Sequence, residues 1–198
     1  MRVHGDNRSG NCYKIQLLLS FLEVPYEWVD VDILAGETSD PEFLTMNPNG
    51  KTPVLELPDG RCLSESNAIL NYLAMGSEYL PEERFDFAKV QQWQFFEQYS
   101  HEPFIAVARF IAKYLGLPED RRAEYESKQA GGHKALSIME AQLSNTRFLV
   151  GDRLTTADIA LYGYTHVAHE GGFDLSRYPA IQQWLNRITD RPNYLGMK

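Results

Sequence analysis

The amino-acid sequence predicts an α/β domain of about 75 residues followed by an all-helical domain of about 115. Two observations carry this reading. Up to about Met75, short alternating apolar segments take turns with helical ones, and after Gly76 every periodic stretch is helical. A third observation is the Pro58-Asp59-Gly60 turn between two short apolar runs, which adds a hairpin to a βαβ beginning. The predicted boundaries are 1–76 for the first domain, 77–84 for a linker containing Pro81, and 85–198 for the helical domain.

The elements follow in order. Met1 to His4 reads as a short strand. Tyr13 to Glu23 sets Ile15, Leu18, Leu19 and Leu22 on one helical face, and Pro25 ends it. Tyr26 to Val31 alternates as a half-buried strand does. Thr38 to Met46 predicts a short irregular helix before the turn Asn47-Pro48-Asn49-Gly50. Val54 to Leu57 and Arg61 to Leu63 are the hairpin arms, and Ser64 to Ala74 puts Ile69, Tyr72 and Leu73 on one helical face. The order βαβαββα implies a mixed four-stranded sheet, because a βαβ unit is parallel and a hairpin antiparallel. In the second domain, Phe85 to Tyr114 predicts a long aromatic-rich helix kinked or broken at Pro103. Glu119 to Leu143 reads as a helix through Gly131-Gly132, Thr155 to Ala168 as a third, and Pro179 to Thr189 as a fourth with proline in its first turn.

Composition narrows the function classes. The chain of 198 residues carries a formal charge of -8 with pI near 5.1, and no stretch concentrates Lys or Arg. Nucleic acid and anionic membrane are therefore disfavoured as partners. The only cysteines are Cys12 and Cys62, too few for a disulfide framework, which suits a reducing compartment. The first residues, Met1 to Asp6, turn polar too early for a secretory segment, and apolar runs break well before ~18 residues. The expectation is a soluble, cytoplasmic protein.

The stretch Arg8-Ser9-Gly10-Asn11-Cys12-Tyr13-Lys14 gathers a hydroxyl, an amide and a thiol where the first strand hands over to a helix. A helix start offers unpaired N–H groups and the positive end of the dipole, an environment that favours an anion such as a thiolate. The histidines His101, His133, His166 and His169 show no metal-ligand spacing, and no metal is expected.

Four motifs, in order along the whole chain, resemble cytosolic glutathione transferases. They are Arg8 to Lys14, Asn47-Pro48-Asn49-Gly50-Lys51-Thr52-Pro53-Val54-Leu55, Ser64-Glu65-Ser66-Asn67-Ala68-Ile69-Leu70-Asn71-Tyr72-Leu73, and Phe148-Leu149-Val150-Gly151-Asp152-Arg153-Leu154-Thr155-Thr156-Ala157-Asp158. The resemblance implies a thioredoxin-like first domain, glutathione as co-substrate and a homodimer. It implies a cis Thr52–Pro53 bond whose Thr52 backbone pairs with the cysteinyl backbone of glutathione. Glu65 and Ser66 would grip the γ-glutamyl group and Lys51 the glycyl carboxylate. No tyrosine ends the first strand, Val3-His4-Gly5-Asp6, so the chain looks serine-type, of the bacterial theta-like kind, rather than tyrosine-type.

For the activating group the residues leave three alternatives. Ser9 leads, Asn11 is a second donor of the kind some bacterial members use, and Cys12 would make the protein a mixed-disulfide enzyme. Tyr13 reads as packing. Phe104, Ala108, Ile111 and Tyr164 are the candidates to line an electrophile pocket, although aromatic residues at helical spacing usually belong to the core. Thr155-x-x-Asp158 reads as a capping box with a folding role. The leading function is conjugation of the glutathione thiolate to small electrophiles. The alternatives are a glutathione-dependent disulfide or peroxide reductase centred on Asn11 or Cys12, and a non-catalytic interaction module.

Overall fold

The computed structural model describes residues 1–197. Its internal contacts divide the chain into two units, Met1–Ser77 together with the segment from Pro192 onward, and Glu78–Arg191.

In the first unit, β1 (Arg2–Gly5), β2 (Glu27–Asp30), β3 (Val54–Glu56) and β4 (Cys62–Leu63) form one sheet in the order β2-β1-β3-β4. β1 and β2 are parallel, while β3 runs antiparallel to both β1 and β4. This is the mixed four-stranded sheet of a thioredoxin-like domain, with α1 (Gly10–Phe21), α2 (Pro41–Met46) and α3 (Ser66–Ala74) as its helices. A Cβ at Gly5 would lie 2.8 Å from the Cys12 sulfur and 2.8 Å from the Trp28 ring. The glycine is what lets α1 settle directly onto β1. On the other face of the sheet, Val54 packs with Val31 and Phe43, and His4 Nε2 lies 2.8 Å from Glu56 Oε2.

Two helices differ from the expected single apolar face. α1 buries Tyr13, Leu17 and Lys14 as well as Ile15, Leu18 and Leu19, because it is enclosed on more than one side. In α3 the buried face is Ser66, Ile69, Leu70 and Ala74, and Tyr72 is exposed. The i, i+3, i+4 spacing from Ser66 defines that face, and Tyr72 falls outside it. Tyr13 does pack: it has no exposed surface, and its hydroxyl donates to the Leu195 carbonyl at 2.6 Å, tying the tail to α1.

The second unit holds α4 (Arg84–Phe96), α5 (Glu102–Arg109), α6 (Arg122–Leu143), α7 (Thr156–Thr165) and α8 (Pro179–Thr189). The expected long helix over 85–114 is interrupted as Pro103 requires. Residues Glu97–His101 widen into a π-helical turn and Pro103 sits in the first turn of α5, where its missing N–H is tolerated. Gly131 and Gly132 do not break α6. A Cβ on the first would run into the Phe104 ring and one on the second into the Phe173 ring, so both are packing glycines.

Asp158 anchors the N-terminus of α7. Its carboxylate has no exposed surface and accepts from Thr155 N and Leu149 N at 2.9 Å, and from Trp184 Nε1 and Thr155 Oγ1 at 3.0 Å. Burial pushes the carboxyl up while these donors pull it down. The capping box is therefore also a pin between the 148–155 loop, α7 and α8.

At the end of α7, His166 donates Nδ1–H to the Tyr162 carbonyl at 2.7 Å and stacks on the Tyr162 ring at 4.7 Å. Burial lowers its pKa from 6.5 to about 4, so the folded protein holds the ring neutral. The unfolded chain binds a proton that the folded one refuses, so stability is full above the unfolded value and declines as the pH drops from 6.5 toward 4. Urea titrations across this range should show wild type losing roughly 2–3 kcal/mol more than His166→Phe. A wild-type minus variant difference that does not change with pH would contradict this assignment.

Candidate functional site

Ser9 is the N-cap of α1. Its backbone is extended (φ -81, ψ 124), and its hydroxyl oxygen accepts a long 3.5 Å bond from Cys12 N. The turn before it is held by the buried carboxylate of Asp6. Asp6 accepts from Arg8 N at 2.7 Å and from the Arg8 guanidinium at 3.2 Å, while its carbonyl takes Ser9 N–H at 3.0 Å. The hydroxyl therefore sits at a fixed point on the positive end of α1.

Cys12 points inward. It has no exposed surface, and burial pushes its thiol up, against hydrogen bonds from the Thr52 and Ser9 side chains that favour the thiolate. This sulfur fills the space above Gly5, so the motif position that holds a thiol is spent on the α1–β1 packing.

Thr52 lies two residues before Val54, the first paired residue of β3, and the Thr52–Pro53 bond is cis, as expected. Lys51 precedes it in a turn organised by Asn47. The Asn47 amide, buried, donates to the Lys51 carbonyl at 2.7 Å and accepts from Asn49 N at 3.1 Å. Glu65 precedes α3 with φ +67, a region unfavourable for a residue with a Cβ and one that clusters at ligand sites. Lys51 and Glu65 are exposed, and among the described residues neither side chain has a hydrogen-bond or ion-pair partner.

Ser66 is buried at the start of α3 and meets α1 through Asn11: Ser66 Oγ donates to Asn11 Oδ1 at 3.2 Å. Lys14 Nζ donates to the same oxygen at 2.6 Å and reaches Ser66 Oγ at 3.4 Å. The first unit thus brings Ser9, Cys12 and Thr52 into one cluster and Asn11, Lys14 and Ser66 into a second, both along the first turns of α1. Lys51 and Glu65 stand on the surface without joining either.

Two residues of this arrangement carry no role in the sequence reading. Lys14 was part of the motif, and its signal is position: three residues after Asn11 on a helix, it shares that residue's face while its neighbours are apolar. Asn47 reads in the sequence only as a turn former. The four pocket candidates lie in the second unit. Ala108 and Ile111 have no exposed surface, Tyr164 is buried at the packed end of α7, and Phe104 is half-buried against Gly131. Ala108 and Ile111 are core side chains, which is the commoner fate of such spacing. Among the described residues no group of His, Cys, Asp or Glu is arranged to hold a metal, and no helix is long and apolar enough to cross a membrane.

Comparison with known proteins gives these features a context. The family model for the glutathione S-transferase N-terminal domain matches residues 6–75, and that for the C-terminal domain matches 92–192. The crystal structure of a glutathione S-transferase from Pseudomonas fluorescens is similar with a TM-score of 0.98 and 63% identity, covering 99% of this chain and 98% of that one. The disulfide-bond oxidoreductase YfcG of Escherichia coli is 30% identical over 189 residues, 92% of this chain and 87% of that protein. A glutathione transferase from Burkholderia graminis, with two glutathione molecules bound per subunit, has a TM-score of 0.83 at 26% identity, covering 97% and 84% of the two chains.

The contrast between the two cysteines is measurable. Cys62 lies exposed on the edge strand β4 and Cys12 is sealed under α1. A thiol-reactive chromophore should titrate one thiol in the native protein and two after denaturation, with Cys62→Ser abolishing the native reaction. Prompt native labelling of Cys12 would contradict its burial.

Proposed function

The chain belongs to the glutathione S-transferase family, and from that premise we propose that it is a serine-type glutathione transferase, conjugating the glutathione thiolate to small electrophiles. The observation that carries this reading is the Ser9 hydroxyl at the N-cap of α1, beside Thr52 and a cis Pro53. In the proposed complex the cysteinyl backbone of glutathione pairs with Thr52 in strand fashion. Glu65 and the N-terminus of α3 at Ser66 take the γ-glutamyl ammonium and carboxylate, and Lys51 takes the glycyl carboxylate.

The chemistry asked of the protein is small. The Ser9 hydroxyl donates to the glutathione sulfur, stabilising the thiolate over the thiol and releasing the thiol proton to solvent. The thiolate then attacks an electrophilic carbon held nearby. A carbon–sulfur bond forms and a leaving group such as halide departs with its electron pair, or, at an activated alkene, the adjacent carbon takes a proton. We propose that the electrophile pocket belongs to the helical domain, and of the four candidate residues Phe104 retains the most surface for the purpose.

We also propose a cytoplasmic homodimer. The large apolar side chains left in water support the dimer: Met75 is 74% exposed, Phe85 68% and Phe95 67%. A glutathione-dependent disulfide reductase is the second reading, favoured by the similarity to YfcG and by the presence of Asn11 two residues after Ser9. The same reading centred on Cys12 has the burial and raised pKa of that thiol against it.

Conjugation assays with aryl and alkyl halides separate these. Ser9→Ala should lower kcat/KM by about a hundredfold or more, the cost of losing one donor to a developing anion. Cys12→Ala should keep activity within about threefold once its stability loss from the vacated space is allowed for. Retained conjugation in Ser9→Ala, or its loss in a folded Cys12→Ala, would contradict the assignment. Turnover of glutathione disulfide substrates without conjugation would favour the reductase.

A further inference from the structure

The side chain of Asn47 is buried and spans its turn from the first residue to the last. Oδ1 accepts from Asn49 N at 3.1 Å and Nδ2 donates to the Lys51 carbonyl at 2.7 Å, while the Asn47 carbonyl accepts from Gly50 N at 2.9 Å. The bond to Oδ1 is what an asparagine ordinarily contributes to a turn. The bond from Nδ2 is additional, and together they fix the amide one way round. Flipped, the side chain would set its NH2 against the Asn49 N–H and its oxygen against the Lys51 carbonyl.

The Lys51 carbonyl shares a plane with the Thr52 N–H. The bond between them is trans, and in a planar trans peptide the C=O and N–H point in opposite directions. Holding the carbonyl toward the buried Asn47 therefore turns the Thr52 N–H to the opposite side. Among the described residues that N–H donates to no group, and the Thr52 carbonyl accepts from none. Thr52 is half-buried, a setting in which unpaired backbone groups call for a partner. Peptide planes in turns flip by paired rotation about the bonds on either side, which is the difference between type I and type II turns. The Asn47 bond opposes that flip.

We infer that Asn47 is a positioning residue for glutathione, holding the Lys51–Thr52 peptide plane so that the Thr52 N–H meets the cysteinyl carbonyl of the tripeptide. This rests on the proposed pairing of Thr52 with the cysteinyl backbone, and it names the group that presets the donor. A donor held ready before binding spares the ligand the cost of ordering it, so Asn47 acts on affinity. The Lys51 ammonium, at the end of a flexible stem, is not oriented by this bond.

Asn47→Ser keeps a side-chain acceptor for the turn but is too short to reach the Lys51 carbonyl. Asn47→Asp keeps the shape and the acceptor but has no donor. Calorimetry on both variants should compare glutathione with γ-glutamylcysteine methylamide, which keeps the cysteinyl carbonyl and has no glycyl carboxylate for Lys51. Each variant should bind both ligands about tenfold more weakly, the upper range for one hydrogen bond, with kcat at saturating glutathione within about twofold of wild type. Thermal unfolding establishes that each variant is folded, and if one is not, the other decides. An unchanged Kd in a variant with lowered Tm would make Asn47 a turn former alone and overturn the inference, leaving the proposed function standing. A loss seen for glutathione and not for the methylamide would also overturn it, because the effect would then run through Lys51. A wild type that binds neither ligand would overturn both the inference and the proposed function.

Discussion

At Gly5 strand β1 has no side chain, and the Cys12 sulfur of α1 occupies the space, 2.8 Å from where a Cβ would be. This one approach sets the height of α1 above the sheet, and the rest of the first unit follows from it. With the helix so close, its first turn comes over the end of β1, so Ser9 caps the helix beside the Thr52–Pro53 turn that leads into β3. A residue larger than glycine at position 5 would have to lift α1 or displace Trp28. The thiol that looks reactive in the sequence is in this sense a spacer. Its burial and raised pKa are consequences of the packing it provides.

From that geometry two small polar clusters arise along the start of α1. One joins Ser9, Cys12 and Thr52, linking helix to sheet. The other joins Asn11, Lys14 and Ser66, linking α1 to α3. Both are largely buried, so each hydrogen bond in them counts for more than it would in water, and each fixes an orientation as well as a position. The exposed residues of the proposed site, Lys51 and Glu65, carry charges on turns whose backbones are fixed from beneath, by Asn47 in one case and by α3 in the other. Charge at the rim and fixed dipoles within are what the proposed binding of a zwitterionic thiol peptide calls for.

The mixed sheet and most helices were legible because periodicity and turn chemistry agree in them, while the strand order β2-β1-β3-β4 came from the structure. Pro58-Asp59-Gly60 marks the hairpin, Asn47 to Gly50 the preceding turn, and Pro179 the start of α8. Helix faces were less legible. α1 is enclosed on several sides, so no single stripe describes it, and in α3 the small Ser66 rather than Tyr72 belongs to the buried set. Of the proposed site, the motifs name the residues Ser9, Thr52 and Ser66. It was not legible as a network. Nothing in the linear sequence says that the lysine of the first motif would be fully buried, or that it would share an acceptor with a serine 52 residues away. Such pairings depend on how α1 and α3 pack, and only the three-dimensional arrangement supplies that.

The central claim, that the first turn of α1 receives a glutathione sulfur, is most directly tested by a crystal structure of the protein soaked with glutathione. The account predicts the sulfur within about 3.5 Å of Ser9 Oγ, with the cysteinyl backbone paired to Thr52. A sulfur bonded to Cys12, or a glutathione bound away from the α1 turn, would contradict it.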